Sequence, residues 1–384
     1  MQLFVDTEFF IWLIFLSIPA FILGLMEKPI HIYGFFVSVF FIIMSMGGTT
    51  KALLYMILYI MFEHVLAVIY TGVRERYGRK AGVYYLFLLL SISPLVTYKV
   101  TSVTGNGILG FLGISYMTFK SAQVIIEIYD GQIKEISPFS YIYMMIFFPV
   151  VTSGPIDRSR RFDSDINNPL PRSQYLELAG KGLFKILLGV LYKVIIAKTF
   201  YQLMTWYGMD ISLKSGIIYM YTYGLYLFFD FAGYSLMAVG SSYIFGIKTP
   251  DNFNKPFLSC DIKEFWDRWH ITLSHWFRDY IFSRVTMGLM KTKKIRSRLT
   301  IACIAFFVNM GIMGLWHGLT SYYIAYGLYH ATLLSITEVY QKKSKFHKAH
   351  KKDKWYRIIS WFTTMNLVFF GFFIFSGRIM KFLP

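Results

Sequence analysis

Long apolar stretches alternate with short basic ones along all 384 residues of the chain. The apolar runs fall near 8–26, 31–47, 51–73, 81–98, 108–129, 138–153, 176–206, 215–246, 299–318, 320–340 and 357–377. A membrane-spanning α-helix needs roughly 17–25 such residues to cross the hydrocarbon layer. Two runs, 176–206 and 215–246, are long enough to hold a bent or broken helix, so the pattern predicts roughly 10–12 crossings. The expected fold is an all-α polytopic membrane protein, because a helix satisfies its own backbone hydrogen bonds where no water can.

One tract breaks the pattern. Residues 248–298 are too polar to span a bilayer and too aromatic for an ordinary loop, and they read as amphipathic or re-entrant helices. Their centre is "NKPFLSCDIKEFWDRWHITLSHWFRDYIF" (254–282). On one continuous helix Trp266, Trp269, Leu273, Trp276, Phe277 and Tyr280 would share a face, with His270 beside Trp266. Two readings stand: an interfacial aromatic belt with Arg268 and Arg278 snorkelling to water, or the wall of a site.

Composition sharpens the class. The chain is 55% hydrophobic and only 16% charged, whereas soluble domains are about a quarter charged. Mean hydropathy is +0.48. The formal charge of +18 does not point to nucleic acid, because the basic residues sit in short runs between apolar ones and no aromatic-studded basic groove is evident. The runs "RERYGRK" (74–80), "KTKKIRSR" (291–298) and "QKKSKFHKAHKKDK" (341–354) are expected on the cytoplasmic side, facing anionic lipid. The hairpin 299–340 then begins and ends inside. Charge alone leaves the side of "GPIDRSRR" (154–161) open. The start "MQLFVDTEFF" lacks a signal peptide's basic residues, so the first helix is expected to be retained. With two cysteines, Cys260 and Cys303, a disulfide framework is not expected.

Candidate chemistry is sparse, which helps. His317 in "GLWHG" (314–318) follows Trp316 inside apolar sequence. Ionisable groups at such depth are costly and face a cavity or a partner, and glycines on either side admit a ligand or a second backbone. A desolvated imidazole stays neutral, the form that accepts a proton from a hydroxyl. A packed structural histidine is the competing reading. Asp230, in "YLFFDFAGYS" (226–235), would orient a histidine, pair with a cation such as Lys120, or pin two helices together. Glu63 and His64 suggest only helix packing. A metal site is not expected: His270 and His275 would lie about 140° apart on a helix, His317 and His330 also fail to share a face, and neither HExxH nor CxxC occurs. Phosphate-loop and GxSxG patterns are absent.

Five ordered motifs resemble the membrane-bound O-acyltransferase family. They are "GISYMTFKSAQVIIEIYDG" (113–131), "FFPVVTSGPIDR" (147–158), "YLFFDFAGYSLMAVG" (226–240), "EFWDRWHITLSHWFRDYIF" (264–282) and "GLWHG" (314–318), together covering about residues 85–340. Leu236 departs from the pattern where an aspartate is common, which puts any cavity role for that position in doubt. Within the family, "GPIDRSRRF" and the Lys/Ile/Phe/Tyr-rich composition look most like the branch that D-alanylates teichoic acid.

The resemblance implies tilted helices around a central tunnel, with His317 deep inside as the essential histidine and His270 near it. Trp316, Asp230, Trp266, Trp269, Arg268 and Ser274 would line or support that tunnel. It implies a single membrane-embedded domain over 1–384: peripheral helices over 1–100, a catalytic core over 101–340, and a basic loop with a last helix over 341–384. The donor would be D-alanine as a thioester on the phosphopantetheine arm of an acidic cytoplasmic carrier protein, with no cofactor bound by the chain itself. Acidic carriers complement a basic cytoplasmic face. Ser283, Val285, Thr286, Met287, Leu289 and Met290 in "SRVTMGLMKT" (283–292) are the candidate docking surface. Small membrane or extracellular D-alanylation proteins are further possible partners, alongside membrane lipid. Two alternatives remain: a cell-surface polysaccharide O-acetyltransferase of the same family, and a transporter or lipid flippase, which would predict an inverted repeat that the sequence does not display.

Overall fold

Apolar runs become helices nearly everywhere the pattern places them. The computed structural model describes residues 1–47, 49–208 and 212–381. In chain order the helices are α1 Thr7–Leu25, α2 His31–Met46, α3 Thr50–Tyr77, α4 Ala81–Val103, α5 Ile114–Tyr129, α6 Pro138–Ile146, α7 Ser159–Asn167, α8 Arg172–Val190, α9 Ala197–Tyr207 and α10 Leu213–Ile244. They continue with α11 Ile262–Arg268, α12 Ile271–Phe277, α13 Ser283–Thr292, α14 Arg298–His317, α15 Ser321–Lys343, α16 Lys345–His350 and α17 Lys354–Phe375. Among the described residues the one extended pairing is an isolated bridge between Phe253 and Trp269.

Helices α1, α3, α4, α14 and α17 are long and apolar enough to cross a membrane by length and composition, and α2 is a shorter apolar helix. Of the two longest apolar runs, 176–206 is interrupted by a π turn at Leu191–Ile196, whereas α10 runs unbroken for 32 residues. Pro19 and Pro94 lie inside α1 and α4, where each removes a backbone donor from the helix.

The chain divides into two units, Met1–Val190 with Gly233–Pro250, and Leu191–Ala232 with Asp251–Pro384. In the first unit, Phe9, Phe41 and Phe148 pack as a ring cluster beneath Tyr143, Phe147 and Phe162. One group of buried polar side chains there is tied together by hydrogen bonds. The Ser91 hydroxyl donates to Glu63 Oε2 at 2.8 Å, and Tyr59 bonds Thr118 and Ser121, joining α3, α4 and α5. Glu63 therefore packs helices, as expected of it. Gly182 and Gly240 face each other: a Cβ on Gly240 would lie 2.4 Å from the Gly182 carbonyl, so α8 and α10 touch backbone to backbone.

The first unit also assigns a side to 154–161. Arg79 pairs with Asp130 at 2.9 Å, Arg74 donates to the Tyr129 carbonyl, and Arg160 donates to Gln132 at 2.7 Å. The basic loop 74–80, the end of α5 and the start of α7 thus share one face, the one the positive-inside rule places in the cytoplasm.

One suggested pairing is overturned. Lys120 does not meet Asp230; its ammonium donates to the Met144 carbonyl at 2.8 Å. Asp230 pairs instead with Lys193, which the π turn at 191–196 presents toward α10. The π turn widens the helix by one residue, and the pair satisfies a carboxylate that would be expensive alone among apolar side chains. Asp230 pins α10 to that turn.

Candidate active site

The site region begins with a helical hairpin. Ser297 caps α14 by accepting the Thr300 amide, and α14 then runs to His317, its last residue. Helix α15 returns antiparallel after three residues. Glycine brings the two backbones together. A Cβ on Gly314 would lie 2.6 Å from the Tyr323 carbonyl, and one on Gly327 would lie 2.4 Å from the Met310 carbonyl. Gly318 has extended backbone, so it is there for space: a Cβ would sit 2.5 Å from the Tyr323 ring. The His317 imidazole is half-buried and is ringed by Trp316, Phe375, Tyr323 and Tyr326, with centroids at 4.6, 4.9, 5.9 and 6.1 Å.

Helical continuity through 264–282, on which the single aromatic face depended, does not hold. Helix α11 ends at Arg268, Trp269 is extended, and His270 takes the left-handed conformation at φ 45° before α12 begins. A second segment makes the break affordable to the backbone. The Asn254 amide donates to the Arg268 carbonyl at 3.0 Å, and the Ile271 amide donates to the Asn252 carbonyl at 2.9 Å. Asn252 Oδ1 accepts from both the amide and the hydroxyl of Thr272. The released helical hydrogen bonds are replaced, so tertiary pairing overrides the helical periodicity. The angular estimate that separated His270 from His275 therefore no longer applies.

The break redirects every side chain around it. His270 is 5% exposed, edge-on to Phe231 at 4.6 Å, and its Nε2 has no hydrogen-bond partner. Burial pushes its pKa down to about 3, and the nearby His317 imidazole adds to the effect, so His270 is a neutral ring close to His317. Trp269 packs into an aromatic cluster with Phe228, Phe253, Phe265 and Phe372. Arg268 pairs with Glu264 at 2.7 Å, and the Ser274 hydroxyl donates to the Trp269 carbonyl. Trp266 donates its indole N–H to His330 Nδ1 at 3.3 Å. In that bond His330 Nδ1 is the acceptor.

Sequence reasoning considered His330 only as a poor zinc partner for His317. Placed at 0% exposure, it meets Tyr326 edge to face, and Tyr326 also meets His317, so Trp266, His330, Tyr326 and His317 follow one another in contact. The signal was present in the three- and four-residue spacing of Tyr322, Tyr323, Tyr326, Tyr329 and His330 on α15.

A cleft of about 380 Å³ lies beside this chain of contacts. Its rim carries Lys263, Asp267, Arg278 and Glu338, and Trp266, Ser274, Asn309, Met310 and Met313 line it farther in. Lys263 and Glu338 pair across the rim at 2.7 Å. The rim lies toward the start of α14 and the end of α15, where both basic loops attach. Met313 is one turn before His317, at the other end of α14, and the fifteen residues from Ala302 to His317 span about 22 Å. Among the described residues, no three His, Cys, Asp or Glu side chains are placed to hold a metal ion. Helix α13 stands apart from the buried part of the site: none of its residues is buried, and Met287 and Met290 are 50% and 45% exposed.

The family model for membrane-bound O-acyltransferases matches residues 49–380. The chain belongs to the membrane-bound O-acyltransferase family. It is 39% identical to the teichoic acid D-alanyltransferase of Bacillus subtilis over 96% of both chains. It is 40% identical to the protein of that name from Streptococcus thermophilus, over 96% of this chain and 93% of the relative. A probable alginate O-acetylase of Pseudomonas syringae is 31% identical over 70% of this chain, but over only 49% of its own length. As a member of this family the protein is a multi-pass membrane acyltransferase.

Two substitutions test the local geometry. His270→Asn is expected to keep the fold, since Asn tolerates the left-handed region. His270→Val should cost about 1–3 kcal/mol, read as a lower melting temperature in detergent; equal melting would contradict the strained backbone. A Cβ on Gly371 would lie 2.7 Å from His330 Nε2. Gly371→Ala should therefore displace His330, destabilise by about 1–3 kcal/mol and alter Trp266 fluorescence, whereas an unchanged spectrum would show that the ring has room.

Proposed function

We propose that this protein moves D-alanine from a carrier-protein thioester at the cytoplasmic face to a hydroxyl acceptor on the opposite side, in the D-alanylation of teichoic acid. The near-full-length likeness to two teichoic acid D-alanyltransferases supports the reading. The observation that carries it is the placement of His317 at the end of α14 opposite the basic loops, with a cleft that reaches from a charged rim to Met313, one turn before it.

In this reading an acidic carrier docks against α13, where exposed Met287 and Met290 stand among Arg284, Lys291 and Lys293. Its phosphopantetheine arm enters the cleft, and the chain needs no cofactor of its own. The cleft suits an amide-bearing arm: Asn309 lines it, is buried, and its Oδ1 has no partner among the described residues. The acceptor oxygen attacks the D-alanyl carbonyl carbon while His317 takes the hydroxyl proton. The C–O bond forms, the C–S bond breaks, and the departing thiolate recovers the proton from His317. His270, neutral and fixed by the 252–254 segment, orients the reactants. General-base help contributes about 10²- to 10⁴-fold, and holding two reactants in one passage supplies much of the rest. The alginate O-acetylase likeness covers half of that relative, so an acetyl donor is the weaker alternative.

Reconstituted with D-alanyl-loaded carrier, His317→Ala should lose about 10²- to 10⁴-fold in transfer rate with carrier affinity and melting temperature unchanged. Transfer within tenfold of the native rate would remove His317 from the chemistry. Met287→Asp should weaken carrier binding about tenfold, as loss of a central apolar contact does, with little effect on turnover at saturating carrier. Unaltered affinity by titration would place the docking surface elsewhere.

A further inference from the structure

The largest cleft described in the second unit, about 790 Å³, is separate from the one beside Trp266. It lies among α15, α16, α17 and the start of α11. Its apolar walls are Ile336, Ile359 and Leu367, and the isoleucines are 59% and 56% exposed. Lys351 and Arg357 also line it and have no ion pair among the described residues. The acids in the wall are committed. Asp261 accepts the Glu264 amide and the Gln341 side chain, and Glu264 accepts Arg268 and the Cys260 amide. The surrounding segment 341–357 holds eight Lys and Arg residues against a single acid, Asp353, which His350 engages at 2.7 Å.

We propose that this cleft binds one anionic phospholipid, its phosphate between Lys351 and Arg357 and an acyl chain along Ile336, Ile359 and Leu367. The charge complementarity calls for an anion, and the apolar walls between α15 and the membrane-length α17 call for one that carries a chain. A soluble phosphate would leave those walls without a partner, and a docked acidic protein would use the rim but not the interior. The bound lipid would press against the segment that leads to His270. Thr364 donates to the Cys260 carbonyl at 3.1 Å and Trp361 to the Phe257 carbonyl at 2.7 Å, so α17, the cleft and the start of α11 form one contact region.

The test uses the full chain in neutral detergent, with native mass spectrometry and thermal melting as readouts and phosphatidylglycerol, phosphatidylcholine and glycerol 3-phosphate as probes. Phosphatidylglycerol should be retained over phosphatidylcholine and should raise the melting temperature. Glycerol 3-phosphate should do neither. Lys351→Ala with Arg357→Ala, both exposed and so harmless to folding, should weaken phosphatidylglycerol about thirty-fold, at about fivefold per cation. Arg76→Ala with Lys80→Ala removes equal charge from another basic loop and should change retention less than twofold. Equal losses from both pairs would reduce the effect to diffuse surface attraction and overturn the proposal. So would a lack of preference for phosphatidylglycerol in the native chain, retention by the cleft variant, or equally tight binding of glycerol 3-phosphate.

Discussion

Backbone amides and carbonyls that leave a helix inside a membrane protein must find other partners, and the candidate site depends on how that requirement is met at Trp269–Ile271. Asn252 and Asn254 supply the missing partners from a second segment. With those bonds in place the chain can turn through a left-handed histidine without stranding polar groups in an apolar interior. The turn points His270 inward beside Phe231 and near His317, and leaves Trp266 free to reach His330. Were the helix continuous, the same residues would form a plain amphipathic face.

Close backbone approach is the second device. Gly314, Gly327, Gly318 and Gly371 each occupy a place that a methyl group would fill with another atom. In lipid, where burial of apolar surface gains little, helices associate through such van der Waals contact. Here the contact also sets chemistry. It draws α14 and α15 together until His317, Tyr326 and His330 touch in sequence, and it holds His330 between Trp266 and α17. His270 stays neutral because water is excluded from it, which suits a ring that orients and does not carry charge.

Charge is distributed along a different axis. In the second unit both basic loops attach near the rim of the site cleft, while His317 stands at the far end of α14. The proposed transfer uses that separation, with the donor entering at the rim and the imidazole at the other end of α14. Of the lysines in 341–354, Lys342 pairs with Glu338 at the rim of the cleft beside Trp266, and Lys351 lines a second cleft with its own apolar lining. Under the two proposals, the first cleft takes the arm of a soluble partner and the second takes a lipid.

Helix positions and the oddity of "GLWHG" within an apolar run were legible in the sequence because they rest on local quantities: apolar length and unusual residues. The family likeness was legible for the same reason, as short motifs in a fixed order. The ends of α14 and α15 fell within a few residues of the apolar runs that announced them. What periodicity could not reveal was the break at Trp269–His270, because its cause lies sixteen residues upstream in backbone groups that carry no side-chain signal. Nor could it reveal that Lys193, not Lys120, meets Asp230, since a π turn decides which way that lysine faces. His330 was visible as a residue but not as a neighbour of Trp266, for that contact exists only once α11 and α15 are packed. Local pattern determined which segments are helices; contacts between segments distant in sequence decided which side chains share a site.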